Sequence, residues 1–444
     1  MSPEIVAAIG RGQYDPSAVT PAEEHSLRQW AASEVRHFAD RLRTLTEAGS
    51  HNQARRLQGK MMRSLGARLW ALYETLPAAH GGSRDDHARR AARIAAILQR
   101  VATVGDMTRT PAPRVYKNPK PNGGHRYIMI FTWEEQARMK LLDQALTPFV
   151  GFHPRQYAIV QRPDGRGRTA ACKALREITT GLTNDHVFFQ VDVRNFFGSI
   201  SHQWLEDNLA LPPAYIRRFI HTGDMRIRSG GSRRARLSDE ENNELGRLGI
   251  ATGSAVSPRV AEIVMANILR SFAARRPDVR LVNYSDNLGV VCRRGEEAAI
   301  KDALRAVFRT HGAGPFQLTF SPSTPVTCEN QFLGYNFQVR LGRTRFYLAA
   351  ARVAAIRATA RDITAANNPD FRRAERYVRG ICASEHLWDG ARAFGEEVLR
   401  GIEAYQTVHD DILARGPDVV HADLERARNT RNLANPAWRR WRPF

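Results

Sequence analysis

Two aspartates separated by 94 positions (286 minus 192) sit where side chains could do chemistry. Asp192 closes an apolar run in VFFQVDVRNFFGSISHQWL, residues 187 to 205, where a strand is expected to turn into a helix. Asp286 lies in LVNYSDNLGVV, residues 281 to 291, which reads as a hairpin with the polar turn Tyr284-Ser285-Asp286-Asn287 between two apolar strands. Singly, each has an ordinary explanation, Asp192 as a cap or turn residue and Asp286 as common hairpin chemistry. Jointly they are more specific, because carboxylates carried by two adjoining strands suit a hard cation that seeks oxygen ligands.

Those strands need a scaffold to bring them together. From Pro111 to about Tyr347, short apolar strands alternate with helices and with Gly, Pro and Asn turns, a mixed α/β texture. Residues 21 to 105 read instead as helices. Leu27, Trp30, Phe38, Leu42 and Leu45 recur at steps of three and four or their sums, and so do Leu57, Met61, Leu65, Leu69, Leu72 and Leu76. His80-Gly81-Gly82-Ser83 interrupts the pattern before an Arg/Ala-rich helix running to about Val104. The polar stretch from Arg226 to Gly249 reads as a surface loop or hairpin within the central region. Past Ala350 helical spacing returns through Val353, Ile356, Ile363, Tyr377, Ile381, Phe394, Val398 and Ile402, and the chain closes on the basic WRRWRPF.

Composition narrows the class. With 444 residues, 43% hydrophobic and 25% charged, the chain can bury a substantial core. Lys and Arg total 66 against 45 Asp and Glu, a net charge of +21, which attracts polyanions; nucleic acid is the commonest, with acidic proteins and membrane surfaces as alternatives. Cys172, Cys292, Cys328 and Cys382 form no C-x-x-C pair, which argues against a zinc site or a disulfide framework and for a reducing cytoplasm. The first residues lack the pattern of a secretory leader, and no apolar run approaches the roughly 20 residues of a membrane span. A cytoplasmic protein outside the membrane is expected.

Further segments carry a resemblance. The surroundings of Asp192, with Phe196-Phe197 and Ser199-Ile200 following, resemble the first palm motif of reverse transcriptases. GIATGSAVSPRVAEIVMANIL, residues 249 to 269, resembles that family's G-x-P-Q-G-S-x-x-S-P-x-x-A, and Tyr284 to Asn287 resembles its Y-A-D-D hairpin. Phe332-Leu333-Gly334-Tyr335 is similar to the primer grip, KPNGGHRYIMI (residues 120 to 130) to the fingers hairpin K-P-x-G-x-x-R, and QYAIVQRPDGRGRTAACKAL (residues 156 to 175) to the degenerate Y-G-F-R-P-G-R-S element. With its helical extensions at both ends, the chain resembles bacterial reverse transcriptases of the group II intron, retron and phage-defence types more than compact retroviral ones.

The resemblance implies an α+β right-hand polymerase: a helical extension at 1–110, fingers and an antiparallel-sheet palm at 111–347, and a helical thumb with a basic tail at 348–444. It implies two Mg²⁺ ions, replaceable by Mn²⁺, held by Asp192, Asp286 and the Val193 carbonyl with Asn287 assisting. One ion activates a primer 3′-hydroxyl and the other clamps the leaving pyrophosphate. Lys120 and Arg126 would grip the triphosphate, Phe197 would exclude a 2′-hydroxyl, Thr252 and Gly253 would shape the nucleotide pocket, and Phe332, Leu333, Gly334 and Tyr335 would hold the primer end. The implied partners are RNA, as template or structural RNA, together with dNTPs and a DNA product, and no membrane.

The chain also departs from the family. Asn287 replaces the second hairpin aspartate, Ser285 the alanine before Asp286, Thr252 the nucleotide-contacting glutamine, and Thr324 an expected lysine. Removing a unit charge beside a divalent ion weakens it by on the order of several kcal/mol before compensation. A specialised polymerase is the expected outcome, with antiphage defence as its role by family analogy. Template-independent synthesis of homopolymer or repeats, and a catalytically weakened RNA-binding scaffold, are the two alternatives. Gly165-Arg166-Gly167-Arg168 is too short for a nucleotide-binding fingerprint.

Overall fold

The computed structural model describes residues 8–9, 11, 13, 20–75, 85–119, 125–149, 151–158, 167–229, 238, 249–365, 369–385 and 387–416. Helix α1 (Pro21–Glu47) begins in a capping box: Thr20 Oγ1 accepts the Glu23 N–H at 3.2 Å while the Glu23 carboxylate accepts the Thr20 N–H at 2.8 Å. The apolar series from Leu57 to Leu72 is split between α2 (His51–Arg63) and α3 (Leu65–Thr75). The break falls at Ser64, whose ψ is 136° and whose Oγ accepts the Ala67 N–H at 3.3 Å, so one hydroxyl opens the next helix. Helix α4 (Asp85–Val104) follows; Leu76 and His80-Gly81-Gly82-Ser83 lie outside the described residues.

The central region opens with an antiparallel hairpin, β1 (Arg114–Pro119) and β2 (His125–Ile130), and with α5 (Trp133–Leu146), capped by Thr132 and Glu135. Then come α6 (Arg168–Thr179), β3 (His186–Arg194), α7 (His202–Asn208), α8 (Pro213–Phe219), β4 (Arg228–Ser229), α9 (Ser257–Arg275), β5 (Arg280–Tyr284), β6 (Asn287–Arg293) and α10 (Glu297–Thr310). Strands β7 (Gln317–Phe320), β8 (Thr324–Pro325), β9 (Asn330–Phe332), β10 (Tyr335–Arg340) and β11 (Arg343–Tyr347) complete the sheets. Helices α11 (Ala350–Ala365), α12 (Phe371–Ser384) and α13 (Ala391–Arg415) end the described chain. Of the polar stretch from Arg226 to Gly249, β4 joins β1 in parallel, while residues 230–237 and 239–248, like the WRRWRPF tail, lie outside the described residues.

The main sheet runs β5-β6-β3-β7 with β8 also on β3, every pairing antiparallel. Its central strand β3 separates two cores, because successive side chains point to opposite faces. Phe189 and Val191 join Leu27, Met61 and Leu69 of the first helices, Leu141 of α5 and Met265 of α9 in one cluster. Phe188 joins Phe332, Tyr335, Phe337, Ile356, Val378 and Val398 in the other. The N-terminal helices thus share a core with the central sheet. A buried amide reinforces the join: Gln58 Nε2 on α2 donates to the Ala145 carbonyl at 3.1 Å and the Ala210 carbonyl at 2.6 Å.

Candidate active site

The antiparallel pairing of β3 with β6 places Asp192 opposite Asn287, and the Val193 N–H donates to the Asp286 carbonyl at 3.2 Å. Backbone hydrogen bonds therefore bring the two aspartates, remote in sequence, to one end of the sheet. Tyr284 pairs with Asn287, so the turn is two residues, Ser285 and Asp286, with Ser285 at φ +56°. Positive φ at the first central position matches the right-handed twist of hairpin strands.

The electrostatics fit a cation. Asp192 is exposed and Asp286 half-buried. Burial pushes the Asp286 carboxyl up, the Asp192 charge adds to the rise, and the Asn287 amide and the Arg126 charge pull it back. Two carboxylates near enough to repel are the donor set that a hard divalent ion relieves. Asn287 Nδ2 donates to Asp286 Oδ1 at 3.0 Å, so its amide supports the neighbouring ligand. Among the described residues no group of three or more His, Cys, Asp and Glu side chains gathers at one point. Asp192 and Asp286 offer two hard oxygen donors at one strand end.

The nucleotide-pocket candidates converge on the same end. Phe197 begins a short 3₁₀ turn after β3; its ring is half-exposed and its carbonyl accepts the Ile250 N–H at 2.9 Å. The Thr252 carbonyl accepts the Met129 N–H of β2 at 2.9 Å, and Gln136 Nε2 donates to the Gly253 carbonyl at 2.7 Å. Gly253 has φ +104°, and a Cβ there would collide with the Met129 carbonyl, so only glycine fits between the two segments. The hairpin β1–β2 is thereby held against the loop before α9, and its Arg126 comes within electrostatic reach of Asp286. Lys120 lies outside the described residues.

Two sequence-derived candidates occupy different surroundings from those their types suggest. Phe332 and Tyr335 are fully buried in the second core, so only Leu333 and Gly334, at φ +48° and +82°, reach the surface as a two-residue turn. Thr324 pairs with Phe188, four residues back along β3 from Asp192 (192 minus 188), at the middle of the sheet.

Sequence reasoning missed the support beneath the hairpin. Glu262 of α9 is only 2% exposed and accepts from Gln156 Nε2 at 2.8 Å; burial pushes its carboxyl up to about 7, with the Asp286 charge contributing. Asn283 and Gln156 are fully buried behind the turn. The signal was present in AEIVMANIL, where one acid interrupts an apolar helix face.

An antiparallel sheet with two aspartates at one strand end, a hairpin held against the loop before α9 and helices behind fit a right-hand polymerase fold. Residues 118–337, close to half of the chain, match the family model described as reverse transcriptase (RNA-dependent DNA polymerase), so this segment has the features of a reverse transcriptase domain. No curated protein sequence matches the chain. Among solved structures, an apo telomerase from Candida tropicalis truncated from its C-terminal domain aligns at 10% identity and TM-score 0.32, over 53% of this chain and 55% of that one. A telomerase from Candida albicans in complex with a TWJ fragment of telomeric RNA aligns at 9% identity and TM-score 0.37, over 71% and 56%. The chain thus spans little more than half the length of either telomerase.

Proposed function

We propose that the protein is a reverse transcriptase-type DNA polymerase that adds dNTPs to a 3′-hydroxyl on an RNA template and serves antiphage defence in a bacterial cytoplasm. The observation that carries the polymerase reading is the β3–β6 register, which sets Asp192 beside the Asp286-Asn287 turn within the matched segment. Residues 1–110 are read as a helical extension, 111–347 as fingers and palm, and 348–444 as thumb and tail.

The mechanism follows from what each side chain can do. Asp192, Asp286 and the Val193 carbonyl would hold two Mg²⁺ ions, which supply activation of the hydroxyl and charge neutralisation on the leaving pyrophosphate. Asn287 fixes the Asp286 carboxylate through its 3.0 Å hydrogen bond. Arg126, carried toward Asp286 by the fingers hairpin, offers forked donors to a triphosphate, and Lys120 adds a point charge. The Phe197 ring closes the space beside the sugar 2′ carbon. Leu333 and Gly334 present the exposed turn of the primer grip, while Phe332 and Tyr335 anchor it.

RNA association has a candidate surface of its own. A groove of about 810 Å³ between α1 and α3 is lined, among the described residues, by His25, Arg28, Gln29, Trp30, Arg36 and Trp70, with Ser26, Ala32 and Ser33. Arg28 lies 5.8 Å from the Trp70 ring centroid. Cations beside aromatic faces suit a single strand, through phosphate contacts and base stacking. Among the described residues no helix is long and apolar enough to cross a membrane.

The test is incorporation of dNTPs on an RNA template with Mg²⁺ or Mn²⁺ by the wild type, Asp192→Ala and Asp286→Ala, followed by sequencing of the product. A templated product from the wild type and none from either variant is expected. Equal incorporation by all three would remove the proposed active site, and a homopolymer would replace templated copying with template-independent synthesis.

A further inference from the structure

Glu262 is an expensive residue to keep where it is. A carboxyl withdrawn from water costs several kcal/mol unless hydrogen bonds hold it, so a buried one points to the partners that keep it there. It sits on the buried face of α9 among Val260, Ala261, Val264 and Met265. Its contacts indicate what it does.

Gln156 Nε2 donates to Glu262 Oε2 at 2.8 Å and to the Glu262 carbonyl at 2.9 Å, while Gln156 Oε1 accepts the His153 N–H at 2.8 Å. With Gln156 fixed at both ends, its segment bridges in parallel to the end of β5. The Asn283 N–H donates to the Arg155 carbonyl at 2.7 Å, and the Tyr157 N–H donates to the Asn283 carbonyl at 3.1 Å. Asn283 Nδ2 then donates to the Ser285 carbonyl at 2.8 Å and to the Asn287 carbonyl at 3.2 Å, spanning the turn that carries Asp286. Ser285 at φ +56° lies in the left-handed region, which the hairpin turn calls for and which is uncommon for a residue with a side chain.

We propose that Glu262, Gln156 and Asn283 form a buried bracket that positions Asp286, with Glu262 as its anchor in α9. Glu262 is a positioning residue: it holds the turn through Gln156 and through the Ser285 backbone, which reaches its carboxylate, and it does not touch substrate. The inference rests on the reading of Asp286 as a catalytic carboxylate.

The experiment compares wild type, Glu262→Gln, Glu262→Leu, Gln156→Leu and Asp192→Ala in steady-state incorporation, thermal melting and backbone hydrogen exchange over residues 281–291. Glu262→Gln keeps an oxygen acceptor for Gln156 and should retain kcat within about threefold. Glu262→Leu and Gln156→Leu each leave a buried polar partner unsatisfied, so both should stay folded but melt below the wild type, and both should lose about tenfold or more in kcat at temperatures where they are fully folded, as misplacement of a reacting group does. Their dNTP KM should stay within about twofold. Exchange at Ser285 to Asn287 should quicken in both Leu variants and not in Glu262→Gln. Combining the two Leu changes should add little beyond the worse single one. A folded Glu262→Leu protein with wild-type kcat and exchange would overturn the bracket, and so would a Glu262→Gln protein as impaired as Glu262→Leu. Should Glu262→Leu fail to fold, the Gln156→Leu comparison decides by the same criteria. Asp192→Ala retaining activity would refute the polymerase reading itself, whereas the exchange data judge the bracket independently of turnover.

Discussion

At the scale of single residues, the site is defined by what surrounds each carboxylate. Asn287 donates to Asp286 where the family places a second acid, which lessens repulsion in a turn already crowded by Asp192. Asn287→Asp therefore replaces a donor with a third negative charge. Without divalent ions the variant should melt below the wild type, and added Mg²⁺ should narrow or reverse the gap, since breaking a favourable hydrogen bond and adding a like charge both destabilise until a cation screens them. Parallel melting curves in chelator and in Mg²⁺ would place residue 287 outside any metal shell. Phe197 makes a different statement. Its carbonyl is pinned by the Ile250 N–H, so Phe197→Ala removes the ring without freeing the backbone. The ratio of ribonucleotide to deoxynucleotide use should rise roughly 10- to 100-fold, the range that relief of one steric clash supports. An unchanged ratio in competition assays would leave Phe197 as a core residue only.

At the scale of elements, the segment after β3 is held by a stacked histidine pair. His202 and His221 lie with ring centroids 3.8 Å apart and planes 8° from parallel, and His202 Nε2 is 2.7 Å from the Gly249 carbonyl. Burial, joined by the neighbouring His202 and Arg217 charges, lowers the His221 pKa to about 4, while Glu206 stands 3.9 Å away. Because the folded state binds this proton less readily than the unfolded chain, stability should fall as pH drops from about 6.5 toward 4. The single-site loss is on the order of 2 kcal/mol at about pH 5. His221→Gln should melt with a shallower acid slope than the wild type over that window. Identical slopes would mean that the pair is not the acid-sensitive element.

At the scale of the whole molecule, two consequences follow from charge and from core continuity. The N-terminal helices share one hydrophobic core with α5, β3 and α9. They are therefore expected to be part of the folding unit, and they also carry the groove lined by Arg28, Arg36 and Trp70. Replacing Arg28 and Arg36 with Gln should lower RNA affinity and flatten its dependence on salt by about 0.7 for each phosphate that is no longer neutralised. Trp70→Ala should weaken binding with little change of slope, as loss of stacking does. Filter binding from low to moderate salt distinguishes the two, and wild-type affinity in both variants would assign RNA to another face.

The sequence by itself was enough to single out the two carboxylates as candidates and to read the polymerase resemblance and the helix–sheet–helix order. These reside in local signals: apolar runs leading to Asp192 and Asp286, Gly, Pro and Asn turns between strands and helices, and spacing of three and four in the flanking helices. Even the departure at Asn287 was readable, since it is a change of residue type at a fixed place in a motif. Tertiary structure alone decided which residues meet. The β3–β6 register joins positions 94 apart (286 minus 192), and Gly253 is required because Met129, on another element, occupies the space of its Cβ. Phe332 and Tyr335 turned out to be core anchors beneath an exposed Leu333-Gly334 turn, because β9 and β10 pack against Phe188. The bracket of Glu262, Gln156 and Asn283 carried no spacing to follow. Its members come from three segments, and a buried carboxyl reveals its task only when the amide that holds it is seen.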